Sequence, residues 1–233
     1  MVGFPEGETI RGGRVTRPSI DSRTQIVERL RAANGSAALD REGLAQAYDA
    51  LPRQYIRQGK LSPSAKIDLL IERLREYDAD VVESTPEMLP ATIGSRLAAS
   101  RRKTFVVPSG APSAWRIAGF DWKIDAGLDI KAIEETDGVV TGASCAIADS
   151  GTIVLHHTAE EGRRVLTLLP DWHLCILRTS QVVETLPEYF ASLKEPPQLV
   201  TWISGPSATA DIEMTRIKGV HGPRFLNVIL VCE

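Results

Sequence analysis

Ser207 stands where a nucleophile could stand. The turn Gly205-Pro206-Ser207-Ala208-Thr209 follows an apolar run, "QLVTWIS", and precedes a stretch with helical spacing. That is the place of a nucleophile elbow in an α/β hydrolase. Two features speak against the chemistry. The second glycine of Gly-x-Ser-x-Gly is replaced by Thr209, and Pro206 stiffens the turn. The base would also have to follow Ser207, and only His221 does. A helix over 209–220 would hold the two about 16 Å apart at 1.5 Å per residue, so the pair is not expected to meet.

The remaining imidazoles are His156, His157 and His173. Adjacent residues of a strand point to opposite faces, so only one of the first two could share a site with His173. No carboxylate or cysteine stands at a helpful spacing beside them, and hydrogen-bonded or solvent-facing imidazoles are expected rather than a metal centre. Cys145, Cys175 and Cys232 are odd in number, widely spaced and form no C-x-x-C pair. They read as reduced thiols of a cytoplasmic protein, and an iron–sulfur cluster needs about four thiolates. Gly-x-Gly-x-x-Gly, Gly-x-x-x-x-Gly-Lys-Ser/Thr and His-Glu-x-x-His are all absent. No cofactor is expected.

Three small-residue turns are the better candidates: "PSGAPS" (108–113), "TGAS" (141–144) and "SGPSAT" (204–209). Each follows a strand-like run. In an open α/β sheet such turns form a crevice at the carboxyl ends of the strands, and their N–H groups can hold an anion. The candidate ligand-binding residues are therefore Ser109, Gly110, Thr141, Gly142, Ala143, Ser144, Ser204, Gly205, Ser207 and Thr209. Glu213 joins them. At about 100° per residue it falls on the apolar arc of Ala210, Met214, Ile217 and Val220. A carboxylate there is costly unless paired or functional. Its partner would be Arg163, Arg164 or Arg224, unless it forms the floor of a site. Asp211 suits the dipole of the helix start. The two acids disfavour a phosphate at this end and favour a small anionic or hydroxylated ligand.

Elements must position these groups. "IDSRTQIVERLRAANG" is helical, with Ile26, Leu30 and Ala33 on one face and a stop at Asn34-Gly35. A weaker helical pattern over 44–57 is interrupted by Pro52. "SPSAKIDLLIERLREYDA" is the clearest helix, capped by Ser62, opened by Pro63 and striped by Ile67, Leu70, Ile71 and Leu74. Strands follow at "DADVVES", "KTFVVP", "HLCILRT", "QLVTWIS" and "FLNVILV", and helices at "TPEMLPATIGSRLAAS", "TLPEYFASL" and 209–220. "GVVTGASCAIADSGTIVLHH" reads as a hairpin turning at Asp149-Ser150-Gly151. Alternation of strand and helix implies an α/β sheet of mostly parallel strands with one antiparallel hairpin. Residues 1–60 read as a partly helical arm and 61–233 as the α/β domain. The net charge of −3 gives no reason to expect nucleic acid. No apolar run approaches the ~18 residues of a membrane span, and "MVGFPEGETI" does not resemble a signal peptide.

"GVVTGASCAIADSGTIVL", "RRVLTLLPDWHLCIL" and "ISGPSATADIEMTRIKGVHGPRFLNVILV" together resemble the LUD domain, and within it the lactate-utilization protein C family. The likeness is continuous over roughly 60–233. It implies an open sheet of the NagB/RpiA/CoA-transferase-like kind and a part in oxidising L-lactate to pyruvate beside iron–sulfur companion proteins. The matching positions add Asp149, His221 and Arg224 to the candidate ligand-binding set. The family supplies no catalytic residue to carry over. Other proteins of this fold group act on phosphorylated sugars, CoA esters or folate-like substrates. A non-catalytic assembly or regulatory subunit is the other alternative.

Overall fold

A computed structural model gives the fold and describes residues 21–33, 41–209, 217–218 and 221–233. The chain divides into Met1–Gln54 and Tyr55–Glu233. The first part holds α1 (Ser22–Ala33) and α2 (Arg41–Asp49). The second begins with a segment tied to its own body: Gly59 N donates to Glu188 Oε1 at 2.8 Å and Leu61 N to Glu184 Oε2 at 2.7 Å.

The second part carries three sheets. Six parallel strands form the largest: β1 (Asp80–Ser84), β2 (Thr104–Pro108), β3 (Asp121–Asp125), β4 (Gly138–Gly142), β7 (Trp172–Arg178) and β12 (Phe225–Val231). Their spatial order is β1-β12-β7-β4-β2-β3. β7 and β12 are apolar almost throughout because they are central and covered on both faces. The second sheet, β8-β5-β6-β9, consists of β5 (Cys145–Ile147), β6 (Thr152–Leu155), β8 (Val182–Val183) and β9 (Thr201–Ile203). Here β5 and β6 form the expected hairpin, with Gly151 at φ 60° in the turn. β10 (Ala208–Thr209) and β11 (Ile217–Lys218) make the third.

Helices α3 (Pro63–Glu76), α4 (Leu89–Ala99), α5 (Ile130–Glu134) and α6 (Leu186–Ser192) complete the fold. In α3, Ser62 Oγ accepts from Ala65 N, and Leu70, Ile71 and Leu74 are buried. Full burial of each such side chain stabilises by about 1.5–3 kcal/mol. They pack with Ala146, Ile153 and Leu155 of the second sheet on one face of the parallel sheet, beside Cys175, Leu177, Val228 and Leu230. Ile93 and Leu97 of α4, with Trp115, cover the other face. The four-stranded sheet has its own far side, where Tyr189 of α6 packs on Cys145, Ile147 and Val154.

Two expectations need correction. Thr209 and 217–218 are not helical: Ala208 pairs with Lys218 and Thr209 with Ile217 in an antiparallel ladder. The signal was in the sequence, since Asp211-Ile212-Glu213-Met214-Thr215 alternates and Thr209, Ile212, Thr215, Ile217 and Val220 are β-branched. Asp211 and Glu213 lie outside the described residues. The shared carboxyl-end crevice also fails, because β9, which feeds the third turn, belongs to the four-stranded sheet. β3, α5 and the two-residue β8 went unread. β3 is a largely polar edge strand, and α5, capped by Asp129, is too short to show a helical period.

Candidate functional site

The chain changes sheets at the second turn. β4 leaves the parallel sheet at Gly142, and Ala143-Ser144 carries it into β5. Thr141, fully buried, donates its hydroxyl proton to Gly142 O at 2.9 Å and lies 2.8 Å from His173 Nε2. With that proton on Gly142 O, the tautomer of His173 is assigned as Nε2–H. His173 is 1% exposed, and burial, helped by the charge of Arg164, pushes its pKa down to about 4. The ring is therefore neutral at pH 7, and Nδ1 keeps its lone pair.

A neutral buried histidine makes the fold acid-sensitive. Between the unfolded value near 6.5 and the folded value near 4, the unfolded chain binds the extra proton, so stability falls as pH falls. The contribution of this group is about 1.4 kcal/mol per pH unit across that window. Denaturation midpoints measured from pH 7 to 4 should fall more steeply for the native chain than for His173→Gln, whose amide can still donate to Thr141. Equal slopes would refute the neutral buried ring.

His173 lines a cavity of about 230 Å³ beside the amino ends of β7 and β12, opposite to the edge expected for the crevice. Arg164 and Thr167 form one wall, on a segment that crosses the sheet face from Arg163, bonded to Asp125 at the end of β3, to Asp171, just before β7. Leu166 fixes that crossing by packing on Val106 and Val139. Thr201 and the turn Ser204–Ser207 form a second wall, and His221–Pro223 a third. Among the described residues the lining holds a guanidinium and the hydroxyls of Thr167, Thr201, Ser204 and Ser207, and no carboxylate.

Each wall is held by hydrogen bonds. Ser207 N donates to Pro223 O at 2.9 Å, and His221 N donates to Ser207 Oγ at 2.9 Å. Serine and histidine thus meet after all, because β10 after the one pairs antiparallel with β11 before the other. The contact uses the backbone amide rather than the imidazole, so it makes no nucleophile–base pair. Ser204 Oγ bonds Thr152 Oγ1 at 2.8 Å. Thr201 Oγ1 lies 2.8 Å from His157 Nε2, and His157 Nδ1 donates to Gly162 O at 2.8 Å. His156 reaches Tyr189 Oη at 2.8 Å, so the adjacent histidines go to different elements.

Arg163 and Arg164 part company. Arg163 grips the buried Asp125 with Nε and Nη2 at 2.8 and 2.6 Å, which holds that carboxyl below its usual pKa. Arg164 reaches only Thr167 Oγ1, at 3.1 Å, and has no carboxylate in ion-pair range among the described residues. Burial pulls its pKa below the ordinary arginine value.

A sequence profile of the LUD domain matches residues 117–231, which include Arg164, His173 and every wall of the cavity. The lactate utilization protein C of Deinococcus radiodurans is 39% identical over 188 residues, covering 78% of this chain and 87% of that protein. This chain belongs to the LUD-domain family. The lactate utilization protein C of Geobacillus thermodenitrificans is 26% identical over 242 residues, covering 94% of this chain and all of that one. A crystal structure of a DUF162 family protein from Deinococcus radiodurans superposes with a TM-score of 0.62 at 34% identity, over 74% of this chain and 99% of that chain.

Within this LUD domain the candidate residues fall into separate groups. Ser204, Gly205, Ser207 and His221 line the cavity, and Thr141 touches it through His173. Ser109 lines a second, more open hollow at the ends of β2 and β3, next to Asp125 and Arg163. Gly110 N donates to Ala159 O, and Gly142 N to Glu160 O, so both turns lean on the loop after β6. Ala143 O accepts from Gln181 Nε2 at 2.5 Å, and Ser144 donates to Glu161. Asp149 sits in the β5–β6 turn, beside Leu186 and Phe190. Arg224 is taken by Asp171, Nε to Oδ1 at 2.5 Å. Thr209 pairs in β10, and Glu213 is outside the described residues. Arg164 entered the reading only as a partner for Glu213, and Thr167 and Thr201 not at all. Their role depends on a strand-to-strand crossing that no local pattern announces.

Proposed function

We propose that the chain is the component of a lactate-utilization system that holds no cluster itself, acting in the cytoplasm with iron–sulfur companion proteins in the oxidation of L-lactate to pyruvate. The observation that carries this reading is the 39% identity across 87% of the Deinococcus lactate utilization protein C. Thiol chemistry supports the division of labour. The chain has three cysteines, and burial pushes the Cys145 and Cys175 thiols up to about 11 and about 12, far from the thiolate a cluster requires. No helix among the described residues is long and apolar enough to cross a membrane. A concave, partly open cavity favours a ligand-holding role over pure assembly, and about 230 Å³ is too little to enclose a CoA ester or a folate.

Deleting the gene should abolish growth on L-lactate and spare growth on glucose, and the chain supplied in trans should restore it. Retained growth on lactate would overturn the reading. The purified chain should contain no stoichiometric iron and turn over no lactate alone. Metal analysis and a lactate-dependent dye-reduction assay check both.

A further inference from the structure

The wall of the cavity carries a positive charge that no carboxylate neutralises among the described residues. Arg164 is partly buried, its single side-chain hydrogen bond among the described residues goes to the neutral Thr167, no acid among the described residues lines this cavity, and Asp125, which borders the neighbouring hollow with it, is taken by Arg163. The neighbouring Arg163 shows what this fold does with an arginine it uses for structure: Nε and Nη2 both bond Asp125, and Nη2 also donates to Leu128 O. A partly buried guanidinium facing hydroxyls, with no carboxylate among the described residues of its cavity, is a site for an anion.

Size and lining narrow the anion. About 230 Å³ suits an acid of a few carbons. His173 is neutral, so Arg164 is the fixed charge of its wall, which disfavours di- and tricarboxylates. Neutral His173 also offers an acceptor: its Nε2–H is spent on Thr141, and Nδ1 has no partner among the described residues. An acceptor of this kind rewards a ligand that can donate a hydroxyl proton.

We propose that the cavity between Arg164, His173 and Ser207 binds a small 2-hydroxy monocarboxylate, its carboxylate on Arg164 and its hydroxyl facing the neutral polar wall. The 2-hydroxy part of this assignment rests on the lactate reading above, whereas the carboxylate part rests on the cavity alone. The chain is then the member of the system that holds the acid.

Calorimetry or ligand-observed NMR on the full chain tests this with L-lactate, pyruvate, propionate and the uncharged L-lactamide. L-Lactate should bind saturably, pyruvate and propionate more weakly, and lactamide on the order of 10–100-fold more weakly, the worth of a charge-assisted hydrogen bond. Arg164→Gln should cost a similar factor while far-ultraviolet dichroism stays unchanged. Arg164→Lys should fall between, since it keeps the charge and loses the fork. Should the glutamine variant not fold, the lysine variant and the lactate–lactamide pair still decide. Lactate that fails to bind, lactamide that binds as well as lactate, or a folded variant of undiminished affinity would each overturn the site. Propionate binding equal to lactate would overturn the hydroxyl assignment. Neither result bears on the lactate-utilization role, which the growth experiment tests separately.

Discussion

Glu161→Ala is expected to destabilise the protein by about 3–6 kcal/mol, the cost of stranding buried donors. Glu161 is 1% exposed. Its Oε2 accepts from His156 N at 2.7 Å and Thr158 N at 3.1 Å, and its Oε1 from Ser144 Oγ at 2.5 Å. The two backbone amides, part-buried, cannot turn to another acceptor, and an amide left unsatisfied costs up to about 1–3 kcal/mol where water is kept out. The damage would spread. The loop that Glu161 organises also presents Ala159 O to Gly110 and Glu160 O to Gly142, and it carries His157 to Thr201 at the cavity wall. Glu161→Gln keeps one acceptor oxygen and sets an NH2 against the remaining donor, so about half the loss is expected. Urea denaturation at neutral pH measures both. A shift below about 1 kcal/mol for the alanine variant would show that water replaces the carboxylate.

The same residue shows where reading a sequence stops. α3 was legible because its stripe, its Ser62 cap and its Pro63 are all local, and β7 and β12 because a fully covered strand is apolar without interruption. The Asp149-Ser150-Gly151 turn named its own hairpin. Glu161, by contrast, sits in "HHTAEEGRR", a polar stretch that looks solvated. Only the sheet change at Ala143-Ser144 brings a hydroxyl to it from 17 positions earlier.

The misreading at Thr209 and 217–218 has a local cause and a long reach. Weighing the segment at 100° per residue hid an alternation that fits a strand equally well, and the helix then separated Ser207 from His221. Beside the β10–β11 ladder the two are bonded, and with Thr201 they border a cavity at the amino ends of β7 and β12. Arg164 could not be singled out either. Nothing in Arg163-Arg164 says which one will meet Asp125, because that depends on β3, an edge strand whose alternation is too weak to read.

Gly205→Ala is expected to cost about 2–5 kcal/mol and to deform the cavity wall, combining backbone strain with overpacking. Gly205 has φ 87°, a conformation an L side chain adopts only with strain. A Cβ there would also lie 2.5 Å from Tyr77 Cβ and 3.0 Å from Tyr77 O. Neither atom moves when the tyrosine side chain rotates, so the backbone itself must give way. Gly119 separates the two effects. Its φ is 92° but nothing lies within 4 Å of the added atom, so Gly119→Ala carries the strain alone, about 1–3 kcal/mol. The difference between the variants in a denaturation series isolates the clash with Tyr77, expected at about 1–3 kcal/mol. Because Gly205 lines the cavity and Gly119 does not, only the former should also weaken lactate binding in protein that remains folded. Equal losses of stability at the two glycines would mean that β9 and α3 can slide apart there, and that the wall is softer than its packing implies.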